Sequence, residues 1–142
     1  MKKKVNNKMT LVIGSSRLGA AIANVNSDEG VYTSIIDKNE AAFKKVDSSY
    51  SGFFIVGNAE EYSSLLKAHI EEATEVDVVT GDDDTNIFVA LLVVKRFPEM
   101  KVIVRLHDEK KRILLDHPHI SIISPSSLSL ETYMTIRQGG KN

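Results

Sequence analysis

Val12-Ile13-Gly14-Ser15-Ser16-Arg17-Leu18-Gly19 is the stretch on which the reading of this chain turns. The apolar run Met9–Ile13 leads straight into it. An amphipathic stretch, Arg17–Ser27, leaves it with Leu18, Ile22 and Val25 on one face. The spacing is that of G-x-G-x-x-G, the turn by which a strand enters a helix at a phosphate site, with Ser16 in the middle glycine's place. Gly14 permits the sharp turn, and Gly19 permits close packing of helix on strand. The helix start then offers unpaired N–H groups and a partial positive charge to an anion. Ser16 leaves two readings open. Its side chain crowds a dinucleotide, or its hydroxyl donates to the phosphate of a mononucleotide.

Asp37 lies 23 residues beyond Gly14, directly after a second β-branched run, Val31–Ile36. An acid at that distance accepts hydrogen bonds from ribose hydroxyls and repels a 2′-phosphate, which disfavours NADP. Turn and acid together point to an adenine nucleotide (AMP, ADP or ATP) or NAD(H).

Outward from this unit the same alternation repeats. Further strands are expected at Gly52–Val56, Val76–Thr80, Val102–Arg105 and Ile120–Ile123. Helices are expected at Glu40–Val46, Glu60–Ala68, Asp84–Phe97, Glu109–Asp116 and Ser126–Arg137. Short apolar strands separated by helices build parallel βαβ units covered on both faces. The expectation is an α/β, Rossmann-type doubly wound sheet of six parallel strands in the order 3-2-1-4-5-6. The gaps between elements are short, so residues 1–142 read as one domain, with 1–8 as a frayed N-terminus.

Composition agrees with a soluble domain. The net charge of −1 gives no bulk attraction to nucleic acid or anionic lipid. Basic residues do not interleave with aromatics as nucleic-acid recognition requires. The absence of cysteine removes disulfides and thiolate metal sites and favours a cytoplasmic setting. The apolar run Val89–Val94 is too short to enter a membrane directly. There is no Walker-type phosphate loop and no G-x-S-x-G.

Several segments, taken together and in order, resemble the TrkA-N or RCK (regulator of potassium conductance) domain. They are the turn 12–19, Ile36-Asp37-Lys38-Asn39-Glu40, Phe54-Ile55-Val56-Gly57-Asn58-Ala59, Val79-Thr80-Gly81-Asp82-Asp83-Asp84-Thr85-Asn86, Val102–Arg105 and Ile122-Ile123-Ser124-Pro125. The resemblance implies a cytoplasmic regulatory domain, peripheral to the inner face of the plasma membrane through a partner. Such a domain binds NAD(H) or an adenine nucleotide and gates a potassium channel or transporter through an oligomer. It implies that Gly14, Ser15, Ser16, Arg17, Leu18 and Gly19 form the phosphate turn, with Arg17 approaching ligand phosphates. Asp37 and Lys38 would meet the ribose, Asn58 and Ala59 would lie beside the adenine, and Thr80 and Gly81 would line the cleft. Asn58 stands where the family usually has aspartate; it keeps an acceptor and adds a donor. The chain stops after the sixth strand and one helix, so the family's frequent C-terminal regulatory lobe is expected to be absent. That leaves a minimal stand-alone subunit or an excised domain.

Other features have competing explanations. Asp82-Asp83-Asp84 is read as a helix start rather than a metal site. The helix 86–97 is apolar almost all round and is read as a homo-oligomer interface, in a dimer or larger ring. Arg105 pairs with an acid near the cleft or across an interface, and the sequence does not choose. A small NAD-dependent oxidoreductase, or a fragment of one, shares the fold; against it, no substrate domain and no placed acid–base group is visible. A structural subunit with an empty cleft is the third possibility.

Overall fold

Six parallel strands run through the centre of the molecule in the order β3-β2-β1-β4-β5-β6, the order expected from the sequence. The computed structural model describes residues 8–141, so all of the N-terminal stretch 1–8 except Lys8 lies outside the described residues. The strands are β1 (Met9–Ile13), β2 (Tyr32–Asp37), β3 (Phe53–Val56), β4 (Glu75–Val78), β5 (Lys101–Arg105) and β6 (Ile120–Ile123). The helices are α1 (Arg17–Asp28), α2 (Tyr62–Lys67), α3 (Asp83–Arg96) and α4 (Pro125–Arg137). The chain reverses its direction of travel across the sheet between β1 and β4. That is the switch point where open α/β sheets place ligands.

Strand alternation sorts the side chains into two cores. Leu11, Ile13, Val76, Val78, Val102 and Val104 face α2 and α3 in the larger one. Val12, Ile35 and Val79 face Ala23 of α1 in the smaller one. The centre of the sheet is apolar because both of its faces are covered.

Two expected helices, 40–46 and 109–116, are 3-10 segments instead, Glu40–Lys45 and Glu109–Leu115. Each opens on an Asn or Asp whose side-chain oxygen accepts the amide two residues on: Ala41 N–H to Asn39 and Lys110 N–H to Asp108. Such local bonds compete with the α-helical pattern in short segments. The fourth strand ends at Val78 rather than Thr80, because the carbonyls of Val79 and Thr80 are drawn to side chains around the cleft.

The two apolar helices differ in burial. α3 buries Ile87, Val89, Ala90, Val93 and Val94, leaving Phe88 and Leu91 as a narrow exposed stripe. α4 buries none of its residues and exposes Leu128, Leu130, Tyr133, Met134 and Ile136. Its start is tied down: Ser127 donates to Glu109 at 2.8 Å, and bonds from Ser124, Arg112 and Ser127 hold the Glu109 carboxyl down to about 2. No described helix is long and apolar enough to cross a membrane.

Asp77 is a polar residue inside the sheet. It sits on β4 between Val12 of β1 and Ile103 of β5, only 2% exposed. Its Oδ1 has no hydrogen-bond partner among the described residues. Burial, reinforced by the neighbouring Glu75, pushes its carboxyl up to about 8.

Candidate functional site

The glycine turn is built by close approach of backbone to backbone. Gly14 has φ +101°, and a Cβ added there would lie 2.8 Å from Thr80 N and Cα. A Cβ on Gly19 would lie 1.9 Å from the Gly14 carbonyl oxygen. Both positions therefore require glycine, for the two reasons the motif gives.

Ser16 is the N-cap of α1. Its Oγ accepts the Gly19 amide at 3.1 Å and donates its proton to the Val79 carbonyl at 2.7 Å. The hydroxyl thus ties the turn to the end of β4. In this structure the hydroxyl's single proton goes to the Val79 carbonyl, and the oxygen acts as a scaffold bond within the turn. Ser15 is buried and donates its hydroxyl to the Ala42 carbonyl at 2.8 Å. Arg17 is exposed at the first position of α1, and Leu18 packs into the smaller core. Helix geometry leaves the Arg17 and Leu18 amides without intrahelical partners.

Asp37 is the last residue of β2 rather than the residue after it. Its Oδ2 accepts the Ser15 amide and its Oδ1 the Asn39 amide, each at 2.8 Å. The carboxylate therefore holds the phosphate turn against the end of β2. Each oxygen keeps a second lone pair for a ligand hydroxyl.

A cleft of about 260 Å³ opens above these strand ends. Seven of the sequence candidates line it: Gly14, Asp37, Lys38, Asn58, Ala59, Thr80 and Gly81. Ser15, Ser16, Arg17, Leu18 and Gly19 are not among its lining residues; they form the turn beside it. Ile13, Ile36, Gly57, Asp82 and Thr85 also line it and were not among the binding candidates, Asp82 having been read only as part of a helix start. The two isoleucines end strands one and two and supply an apolar floor, which strand periodicity alone could have assigned.

The far wall is a polar lattice. Asn86, fully buried on α3, accepts from Thr80 N at 3.1 Å and Thr80 Oγ1 at 2.5 Å; its amide donates to Thr80 O at 3.1 Å and Arg105 O at 2.9 Å. Arg105 donates to the carbonyls of Val79 and Thr80 at 2.9 and 2.7 Å. Among the described residues its hydrogen bonds go to backbone, not to an acid. Burial lowers its pKa. The three aspartates divide the helix start between them. Asp82 caps α3 by accepting the Thr85 amide and hydroxyl. Asp83 accepts the His107 and Asp108 amides, both at 2.8 Å. Asp84 meets Lys111 at 2.9 Å. Thr85's bonds hold the Asp82 carboxyl below its ordinary range. The run acts as a helix start, as read from the sequence.

Residues 10–125 match the family model for the TrkA-N domain. The chain belongs to the TrkA-N family. A Trk system potassium uptake protein TrkA homologue from Pyrococcus horikoshii is 28% identical over 125 residues, covering 84% of this chain and 55% of that protein. This chain spans about half the length of the curated TrkA relatives it matches. Among solved structures, the GsuK RCK domain superposes with a TM-score of 0.80 at 22% identity, over 96% of this chain and 29% of that one. GsuK has also been solved bound to ADP and to NAD. The Kef C-terminal domain of Shewanella denitrificans, in an AMP-bound form, superposes with a TM-score of 0.73 at 17% identity, over 95% and 84% of the two chains. At these identities the likeness to the solved structures establishes the fold.

Proposed function

We propose that this TrkA-N domain is a regulatory nucleotide-binding module. An adenine nucleotide or NAD(H) would occupy the cleft, and its presence would shift an oligomer that a membrane potassium transporter or channel reads. The observation that carries this is the alignment of Gly14, Asp37, Asn58 and Thr80 around one cleft at the sheet's switch point. In this reading the free amides at the start of α1 and the exposed Arg17 meet a phosphate. The spare lone pairs of Asp37 take ribose hydroxyls, Lys38 stands beside them, and Asn58 with Ala59 borders the base over the floor of Ile13 and Ile36.

The cleft's two acids favour binding over turnover. Asp37 and Asp82 both spend their carboxylates on backbone amides, which suits positioning rather than proton transfer. Homologues that act in potassium uptake, together with GsuK solved with ADP and NAD, support the same reading. Oligomer contacts would use the Phe88 and Leu91 stripe of the helix 86–97 and the open apolar side of α4. A ligand moves such an assembly only by binding its two arrangements unequally.

Calorimetric titration with AMP, ADP, ATP, NAD and NADH tests the proposal. Binding of at least one of them below about 1 mM is expected. Failure of all five overturns it.

A further inference from the structure

A broad groove lies at the opposite end of the sheet from the nucleotide cleft. It measures about 960 Å³ and is bordered by the amino ends of β1, β2 and β3, at Met9, Tyr32 and Phe53, and by His69 and Glu72. Its aromatic side chains are left unusually open: Tyr32 is 67% exposed and Phe53 59%. The Phe53 and His69 rings meet at 4.9 Å, tilted by 45° to each other. His69 is the only described non-glycine residue with positive φ, at +69°, a conformation that disfavours a side chain and here delivers the imidazole onto Phe53.

Exposed acids outnumber cations around this groove, although Lys8 adjoins its lining residue Met9 at the start of β1. Asp28 and Glu29 sit between the lining residues Ser27 and Gly30 at the end of α1, and both are exposed. Glu71 and Glu72 follow His69 on the other side and are exposed as well. Lys67, which closes α2, is the nearest cation in sequence on that side. An aromatic floor between two pairs of acids matches a cation on an apolar stem. The ring faces attract the ammonium or guanidinium, the methylenes lie on the rings, and the carboxylates supply the field. It repels acidic segments and anionic lipid headgroups.

We propose that this groove is a docking site for a peptide segment of a partner protein that alternates Lys or Arg with apolar residues. The cytoplasmic flanks of membrane-spanning helices have that composition. The site is separate from the nucleotide cleft, so the two readings stand or fall apart.

The test is fluorescence anisotropy with two labelled ten-residue peptides, one alternating Lys with Leu and one alternating Glu with Leu. The Lys peptide is expected to bind in the micromolar range and to weaken as salt rises, while the Glu peptide does not bind. Glu71→Lys with Glu72→Lys is expected to cut affinity about tenfold, and Phe53→Ala about fivefold. Thermal unfolding of the same variants serves as the folding control and is expected to be unchanged within a few degrees. Equal binding of both peptides overturns the proposal, as does indifference to the charge reversal. Loss of binding in Leu130→Ser on α4, with the groove variants unaffected, also overturns it, because the peptide would then be covering the apolar side of α4.

Discussion

At the scale of single residues, the phosphate turn is held by side chains that the motif pattern does not describe. Ser16 gives its proton to Val79 and caps Gly19, so it belongs to the scaffold. Ser16→Ala is expected to lower stability by about 1–2 kcal/mol in urea unfolding. It should leave AMP affinity within about threefold, since no ligand bond is removed; a tenfold or greater loss would return the hydroxyl to the phosphate. Asp77 behaves differently because its charge is unwelcome where it lies. Its folded pKa of about 8 exceeds its unfolded value, so between those values the folded chain binds more protons than the unfolded one. Its contribution is complete below about pH 4 and is lost as pH rises to about 8. Asp77→Asn is expected to remove this decline and to be more stable than the parent above pH 8, as followed by thermal unfolding across a pH series.

At the scale of elements, the connection from β4 to α3 and β5 depends on Asn86, which satisfies Thr80 three times and Arg105 once. Asn86→Ala is expected to cost about 2–4 kcal/mol in urea unfolding, because it strands buried donors and acceptors as well as deleting bonds. This residue shows where the sequence stopped being informative. The turn, Asp37 and all six strands were legible because glycine spacing and apolar runs are local signals. Asn86 sits inside an apolar helix pattern, and its partners lie 6 and 19 residues away, so no local period marks it. The same limit explains Arg105, whose acceptors are the backbone carbonyls just past the end of β4. It explains the 3-10 segments too, where Asn39 and Asp108 redirect the first amides. α3 and α4 show the limit in another form: composition made the first look like the free surface, and packing left the second more open.

At the scale of the molecule, the two ends of the sheet carry different chemistry. The carboxyl ends gather amides, a ribose-type acid and a polar lattice; the amino ends gather exposed rings between acids. A route between the carboxyl-end cleft and the far strands is already visible in the packing. Gly14 abuts the backbone of Thr80, Thr80 is clasped on its N–H, hydroxyl and carbonyl by Asn86, and Asn86 also holds the end of β5. Arg105, at that same strand end, reaches back to Val79 and Thr80. In mechanical terms these contacts are stiff springs in series, with no compliant loop between them. A displacement of the phosphate turn would therefore act first on Thr80, Asn86 and the end of β5, the strand beside β6, from which α4 continues with none of its residues buried.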